Sequence, residues 1–228
     1  MKRLLILTCI FLALGFTRSL TNSPLGRIFD LKIHDANQWS LPVTNFGEFG
    51  QSKVSEAGGE WPRGSGHLYI FGAGIWVGCK QKNAAGGYDT LVTFGYNPNS
   101  GGNEMVPGFI GQSTTAPEAR VYMYPNDWPP PIDVFPTAPQ EFRSFQDAWT
   151  VYNDADVSAH VPLDTRPINF EIYQTDYVWN LFDNRDIVFL KFEIKNKSGD
   201  TLKDLFVGLT TDNDVGTATD DVNGLRLK

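Results

Sequence analysis

The densest run of groups able to do chemistry is Asp212-Asn213-Asp214-Val215-Gly216, followed by Asp220 and Asp221. Hard oxygen ligands on alternate residues, with a glycine that lets the backbone turn sharply, are what a calcium ion requires. The run is not an EF-hand loop, because the twelfth-position Glu and a flanking amphipathic helix are both missing. Asn153, Asp154 and Asp156 form a second cluster of the same character that could meet the first in space. Both clusters have a plainer reading as turns in which Asp and Asn side chains hydrogen-bond their own backbone.

Other spacings carry less chemistry. Gly72-Ala73-Gly74-Ile75-Trp76-Val77-Gly78 invites comparison with a dinucleotide fingerprint, but its third glycine is one place late. No helix follows to present oriented N–H donors to a phosphate. In Gly64-Ser65-Gly66-His67 the serine lacks glycines two places to either side, so a turn into a strand explains it better than a nucleophile elbow. His34, His67 and His160 stand alone in sequence, without the paired spacing of a zinc site. Glu171 and Asp176 could be offered as a glycosidase pair only if their separation allowed it. Six tryptophans and eight tyrosines raise the prospect of a sugar-stacking platform. Trp128, followed by three prolines, is the one expected to be exposed and is the candidate ligand-binding residue.

These residues need a scaffold, and the hydrophobic pattern indicates strands. His67 to Gly78 is rich in β-branched and aromatic residues, with glycines that mark close approach of a ring or neighbouring backbone. Tyr88 to Tyr96 restarts in alternation after a turn at Ala84 to Gly87, which predicts a hairpin. A short strand is expected at Ala119 to Tyr124. Prolines at 125, 129, 130, 131, 136 and 139 make 125–139 an extended connection and the expected internal boundary. Thr137 with Gln140, then Phe142, Phe145 and Trp149, predict one short helix over about 139–150.

In the last third, Ile168, Phe170 and Ile172 alternate, and Val188, Leu190, Phe192 and Ile194 share one face of a strand over 186–195. A turn at 196–200 and the apolar Leu205, Val207 and Leu209 predict a hairpin there. No repeat of constant period is visible. The fold expectation is all-β: an antiparallel β-sandwich, jelly-roll-like in one variant, with long loops and at most one or two short helices. The β-rich parts are expected at 20–124 and 140–228.

Met1, Lys2 and Arg3 followed by the apolar run Leu4 to Phe16 read as an export leader, with cleavage expected after Ser19. A lipoprotein reading of Cys9 is disfavoured because Thr8 is not the small residue wanted before the lipidated cysteine and Cys9 lies inside the apolar run. Removing Lys2, Arg3 and Arg18 from 19 basic residues leaves 16 against 26 acidic ones, a net charge of about −10. With no basic cluster to neutralise phosphates, nucleic acid is excluded as an expected partner. No later stretch of eighteen apolar residues predicts a transmembrane helix. Cys79 alone survives cleavage, so the mature chain has no intrachain disulfide and its stability must come from burial or bound ions.

Three stretches together resemble the opening of large exported bacterial proteins whose function is uncharacterised: Asn45-Phe46-Gly47-Glu48-Phe49-Gly50, Trp61-Pro62-Arg63-Gly64-Ser65-Gly66 and Leu68 to Gly78. Asn196 to Leu202 and Val207 to Gly216, with Asp220 and Asp221, look like a second shared block. Members of that group often end in a sorting domain for the type IX secretion route. The resemblance implies a surface or released β-rich module and no known reaction. The ending at Gly224 to Lys228, without turn or tail, suggests a fragment of a longer protein.

The expected function is therefore a non-enzymatic extracellular or cell-surface module, structural, adhesive or used for display. Calcium at Asp212, Asp214, Asp220 and Asp221 is its expected ion, with Asn153, Asp154 and Asp156 second. The alternative is a carbohydrate-binding module or the front of a secreted glycoside hydrolase. Expected partners are cell-surface or extracellular components, glycans among them.

Overall fold

The computed structural model describes residues 27–214, apart from 54, 55, 100, 101, 114 and 163. The leader, Cys9, Asp220, Asp221 and the chain ending lie outside the described residues. The described chain contains fourteen strands and one 3-10 turn, Val157–Ala159. In chain order the strands are β1 Leu31–His34, β2 Leu41–Thr44, β3 Glu48–Phe49, β4 Gln51–Lys53, β5 Glu56–Ala57, β6 Gly59–Glu60 and β7 Leu68–Lys82. They continue as β8 Tyr88–Phe94, β9 Val106–Pro107, β10 Tyr122–Met123, β11 Gln146–Asn153, β12 Phe170–Val178, β13 Val188–Asn196 and β14 Lys203–Asn213.

Two antiparallel sheets carry the fold. The first has the order β1-β2-β3-β7-β14, with β6 and β8 also paired to β7. The second has the order β10-β11-β12-β13, with β9 paired to β11; β4 and β5 form a separate ribbon. The 15-residue β7 is the spine of the first sheet: β14 lies along one side, while β6, β3 and β8 follow one another along the other. The expected β7–β8 hairpin forms, pairing Trp76 with Phe94 through to Lys82 with Tyr88.

The glycines of β7 have the physical reason their spacing suggested. A Cβ at Gly72 would stand 2.4 Å from the Tyr96 ring, and one at Gly74 would stand 2.7 Å from the Tyr96 backbone nitrogen. Tyr96 therefore lies flat and fully buried against the strand.

The sheets face each other across a core that neither half of the chain makes alone. Ile75, Val77, Cys79 and Leu91 of the first sheet pack with Tyr152, Phe170 and Ile172 of the second, joined by Met105 and Ile168. Leu41, Val43, Phe49 and Ala73 pack similarly with Val121, Met123 and Ala148. This is the all-β sandwich its alternating apolar residues demand.

Three expectations need correction. The helix over 139–150 does not form: β11 begins at Gln146, and all eight of its residues are buried. Phe142 and Phe145, two of the three aromatics that suggested the helix, are exposed, and Trp149 alone is buried. A strand covered on both faces loses its period of two, and a chance three-residue spacing then passes for a helix.

The Pro-rich stretch is not a boundary. It folds over the outer face of the second sheet, where Phe135 and Ala138 pack with Tyr122, Trp149 and Val151 as a third layer. Strands from before and after it, β7 and β14, pair in one sheet.

The hairpin expected across residues 196–200 does not form either. β13 pairs with β12 and β14 pairs with β7, so the turn carries the chain from one sheet to the other. Alternating strands with one apolar face satisfy a hairpin and a sheet-to-sheet arch equally well; Leu202, packed into the core between β13 and β14, goes with the arch.

Candidate functional site

Asp212 and Asp214 sit at the end of β14 beside the start of β7. Asp212 is opposite Gly72, and the Asp214 N–H donates to the Tyr69 carbonyl at 3.1 Å. The Tyr96 hydroxyl donates to Asp212 Oδ2 at 2.9 Å. Burial and then the Asp212 carboxylate hold that hydroxyl well above the usual phenol range, which keeps it a donor. Two carboxylates, one already accepting a bond, fall short of the six to eight oxygens calcium takes. Among the described residues no three His, Cys, Asp or Glu side chains converge as a metal would require.

The second acidic cluster is a fastener. Fully buried Asp154 accepts the Ile168 N–H at 2.8 Å and the Phe170 N–H at 2.6 Å, pinning the entry of β12 to the exit of β11. Burial pushes its carboxyl up, and those two backbone bonds pull it back. Asn153 donates to the Gly108 carbonyl at 2.8 Å. Asp156 caps the 3-10 turn through Ser158 and takes the Arg27 guanidinium at 2.5 Å. The described residues of the two clusters do not meet. The charge of Asp154 is felt at Cys79, whereas Asp212 lies opposite Gly72, seven residues or roughly 23 Å back along β7.

Two of the three histidines face carboxylates distant in sequence, which their isolation in the chain could not signal. His34, from β1, lies fully buried between Gln146 at 3.2 Å and Asp176 at 3.4 Å, and so ties the two sheets together. Gln174 donates to both Asp176 oxygens, at 3.0 and 3.1 Å, and accepts the Tyr152 hydroxyl at 3.1 Å. His160 Nδ1 stands 3.5 Å from Glu104 Oε2, while Glu104 Oε1 accepts the Val161 N–H. Burial raises the carboxyls of both Asp176 and Glu104. His67 is exposed in the turn that opens β7, where Ser65 accepts its N–H.

Glu171 and Asp176 point to opposite faces of β12, five residues apart, and are no glycosidase pair. Asp176 faces His34 and Gln174; Glu171 takes Tyr173, Lys197 and the Ile110 N–H on the outer side.

Trp128, expected to stand free, is half-buried against the third layer beside Phe135. A cleft of about 260 Å³ opens instead at the mouth of the sandwich, lined by Trp39, Leu41, Phe49, Ile70, Val188 and Leu190. Asp186 closes its rim, its carbonyl accepting the Trp39 indole and its carboxylate the Trp61 indole. No sequence spacing links those residues, since they come from four separate segments.

The chain matches no protein-family model, no curated protein and no solved structure. Its chemistry therefore rests on its own geometry: buried ionisable groups joined into the scaffold, an apolar cleft, and an exposed apolar strand at the sheet edge.

Proposed function

We propose that the protein is a non-enzymatic extracellular or cell-surface β-sandwich module with a structural, adhesive or display role. One observation carries the reading. Interior carboxylates and imidazoles, Glu48 excepted, are spent as fasteners: Asp154 on two backbone N–H groups, His34 and Asp176 between the sheets, Glu104 on the Val161 N–H. An interior wired in this way makes a stable body without disulfides, which suits an exported chain whose described cysteine, Cys79, is free and buried. The leader-like first nineteen residues and the resemblance to exported bacterial proteins support the location. The test is to express the full chain with its leader in a bacterium that exports by this route, then sequence the mature N-terminus and shave intact cells with protease. Export predicts a start near Leu20 and surface-accessible protein; an intact leader on a cytoplasmic chain refutes it.

Calcium belongs to the same proposal, at Asp212 and Asp214 with Asp220 and Asp221. Calcium at 100 times its dissociation constant would add about 2.7 kcal/mol of stability. A melting temperature of the mature chain that EDTA leaves unchanged removes the ion from the proposal.

A carbohydrate-binding role has one observation of its own. Tyr177 and Trp179 stack at 5.9 Å and 22°, with Phe189 edge-on to Trp179, on the outer face of the second sheet. Glycan-array binding lost on Trp179→Ala would favour that role over a purely structural one.

A further inference from the structure

β14 is the last strand of the first sheet, and its outer edge pairs with nothing among the described residues. It is also the apolar strand left outside: Leu205 is 51 %, Phe206 73 %, Val207 54 % and Leu209 61 % exposed. Val207 and Leu209 stand opposite Val77 and Ile75, so they continue the core-facing stripe of β7 beyond the reach of the second sheet. Phe206 and Gly208 lie on the opposite face, and the space over Gly208 is open. A long, exposed apolar edge is a template for a further strand.

We propose that this edge pairs with the same edge of a second copy, β14 to β14 antiparallel about a two-fold axis at Val207, joining two first sheets into one. In Leu205-Phe206-Val207-Gly208-Leu209 the same residue stands at both ends, and a large ring and a bare glycine flank the centre. A two-fold axis through the sheet must pass through a residue, because directly opposed residues share a face. β14 is regular from Phe206 to Asp212 but bulges between Lys203 and Phe206, so its regular part fixes the register. Centred on Gly208, the pairing would set glycine on glycine and Phe206 on Thr210. Centred on Phe206, it would set Gly208 and Leu209 against the bulge. Centred on Val207, it sets Val207 on its own counterpart and Phe206 over the bare Gly208, with Leu209 meeting the strand at Leu205. Only this last register covers the glycine with an aromatic ring. The proposal goes beyond the structural reading and does not depend on where the chain is delivered.

The experiment uses the purified mature chain. Sedimentation at concentrations up to roughly 100 μM is expected to show a dimer, and Phe206→Lys, at an exposed position, a folded monomer. Mild oxidation of Val207→Cys is expected to yield a disulfide-linked dimer, since directly opposed Cα atoms lie about 4.5–5.5 Å apart, within disulfide reach. Leu209→Cys is expected to cross-link far less, because its counterpart faces Leu205. A monomeric parent chain overturns the proposal, whether its β14 edge amides exchange freely or are protected by another segment of its own chain. A dimer that Phe206→Lys leaves intact, or in which Leu209→Cys cross-links as well as Val207→Cys, overturns it too.

Discussion

β11 and β14 invert the usual sorting of residues. All eight residues of β11 are buried, and Gln146, Asp147, Thr150 and Asn153 are among them. None of the eleven residues of β14 is buried, although Leu205, Phe206, Val207 and Leu209 are among those. Place in the sheet order decides. β11 runs between β10 or β9 and β12, with the core on one face and the Pro-rich layer on the other; among the described residues β14 has a neighbour on one side only. Gln146, Asp147 and Asn153 are tolerable inside β11 because each is given a partner, Asp147, for instance, taking the Arg143 and Ser144 N–H groups at 2.8 Å; the Thr150 hydroxyl alone of the four has none among the described residues. Burial follows topology first and side-chain polarity second.

The comparison breaks most visibly if a fastener beside β11 turns out to be idle. Asp154→Ala leaves the Ile168 and Phe170 N–H groups without their acceptors in a dry interior. At about 1–3 kcal/mol for each lost partner, unfolding in urea is expected to show a loss of roughly 3–5 kcal/mol. A loss below about 1 kcal/mol would mean that water or a backbone shift replaces the carboxylate, and that the polar interior does not hold the strands.

Glu48 sharpens the comparison, because it is a buried acid with a visible cost. Its Oε1 has no hydrogen-bond partner among the described residues, and burial pushes its carboxyl up to about 7. An acid whose pKa is raised on folding binds its proton more tightly in the native state, so stability falls as pH rises from about 4.5 to about 7 and stays lower above that. The cost at pH 8 amounts to about 3 kcal/mol. Glu48→Gln is expected to recover most of it at pH 8 and little at pH 4.5, read as melting temperatures at the two pH values. Equal effects at both would place the cause in shape rather than charge.

The strands that alternate cleanly were legible from the residues: β7 with its glycines, β8, β12 and β13. The all-β sandwich follows from them. What the sequence hid is pairing. Val188 to Ile194 and Leu205 to Leu209 carry the same alternation whether they lie side by side or face each other, so the arch between the sheets had no local signature. β11 hid for the opposite reason, since a strand covered on both faces shows no period. The acidic clusters were visible as composition, but their use was not. Asp154 binds backbone fourteen and sixteen residues away, and His34 meets Asp176 across 142 residues of chain. One cue did lie in plain view. Phe206 breaks the alternation of Leu205, Val207 and Leu209 and puts an aromatic ring on the otherwise polar or bare face of β14, the mark of a side chain that the single chain leaves uncovered.

The smallest expected effect tests that mark. If β14 is apolar for the sake of a partner and not for the monomer, replacing its exposed side chains should cost the isolated chain almost nothing. Phe206→Ser, measured by urea unfolding in solution dilute enough to keep the chain monomeric, is expected to change stability by less than about 0.5 kcal/mol. The same change made at Phe170, fully buried in the core, should cost several times more, on the order of 3–5 kcal/mol. Were Phe206→Ser to destabilise the dilute monomer by more than about 2 kcal/mol, the Phe206 ring would be covered within the single chain. The contrast between the two strands would then be one of degree, with β14 a second buried element rather than an open edge.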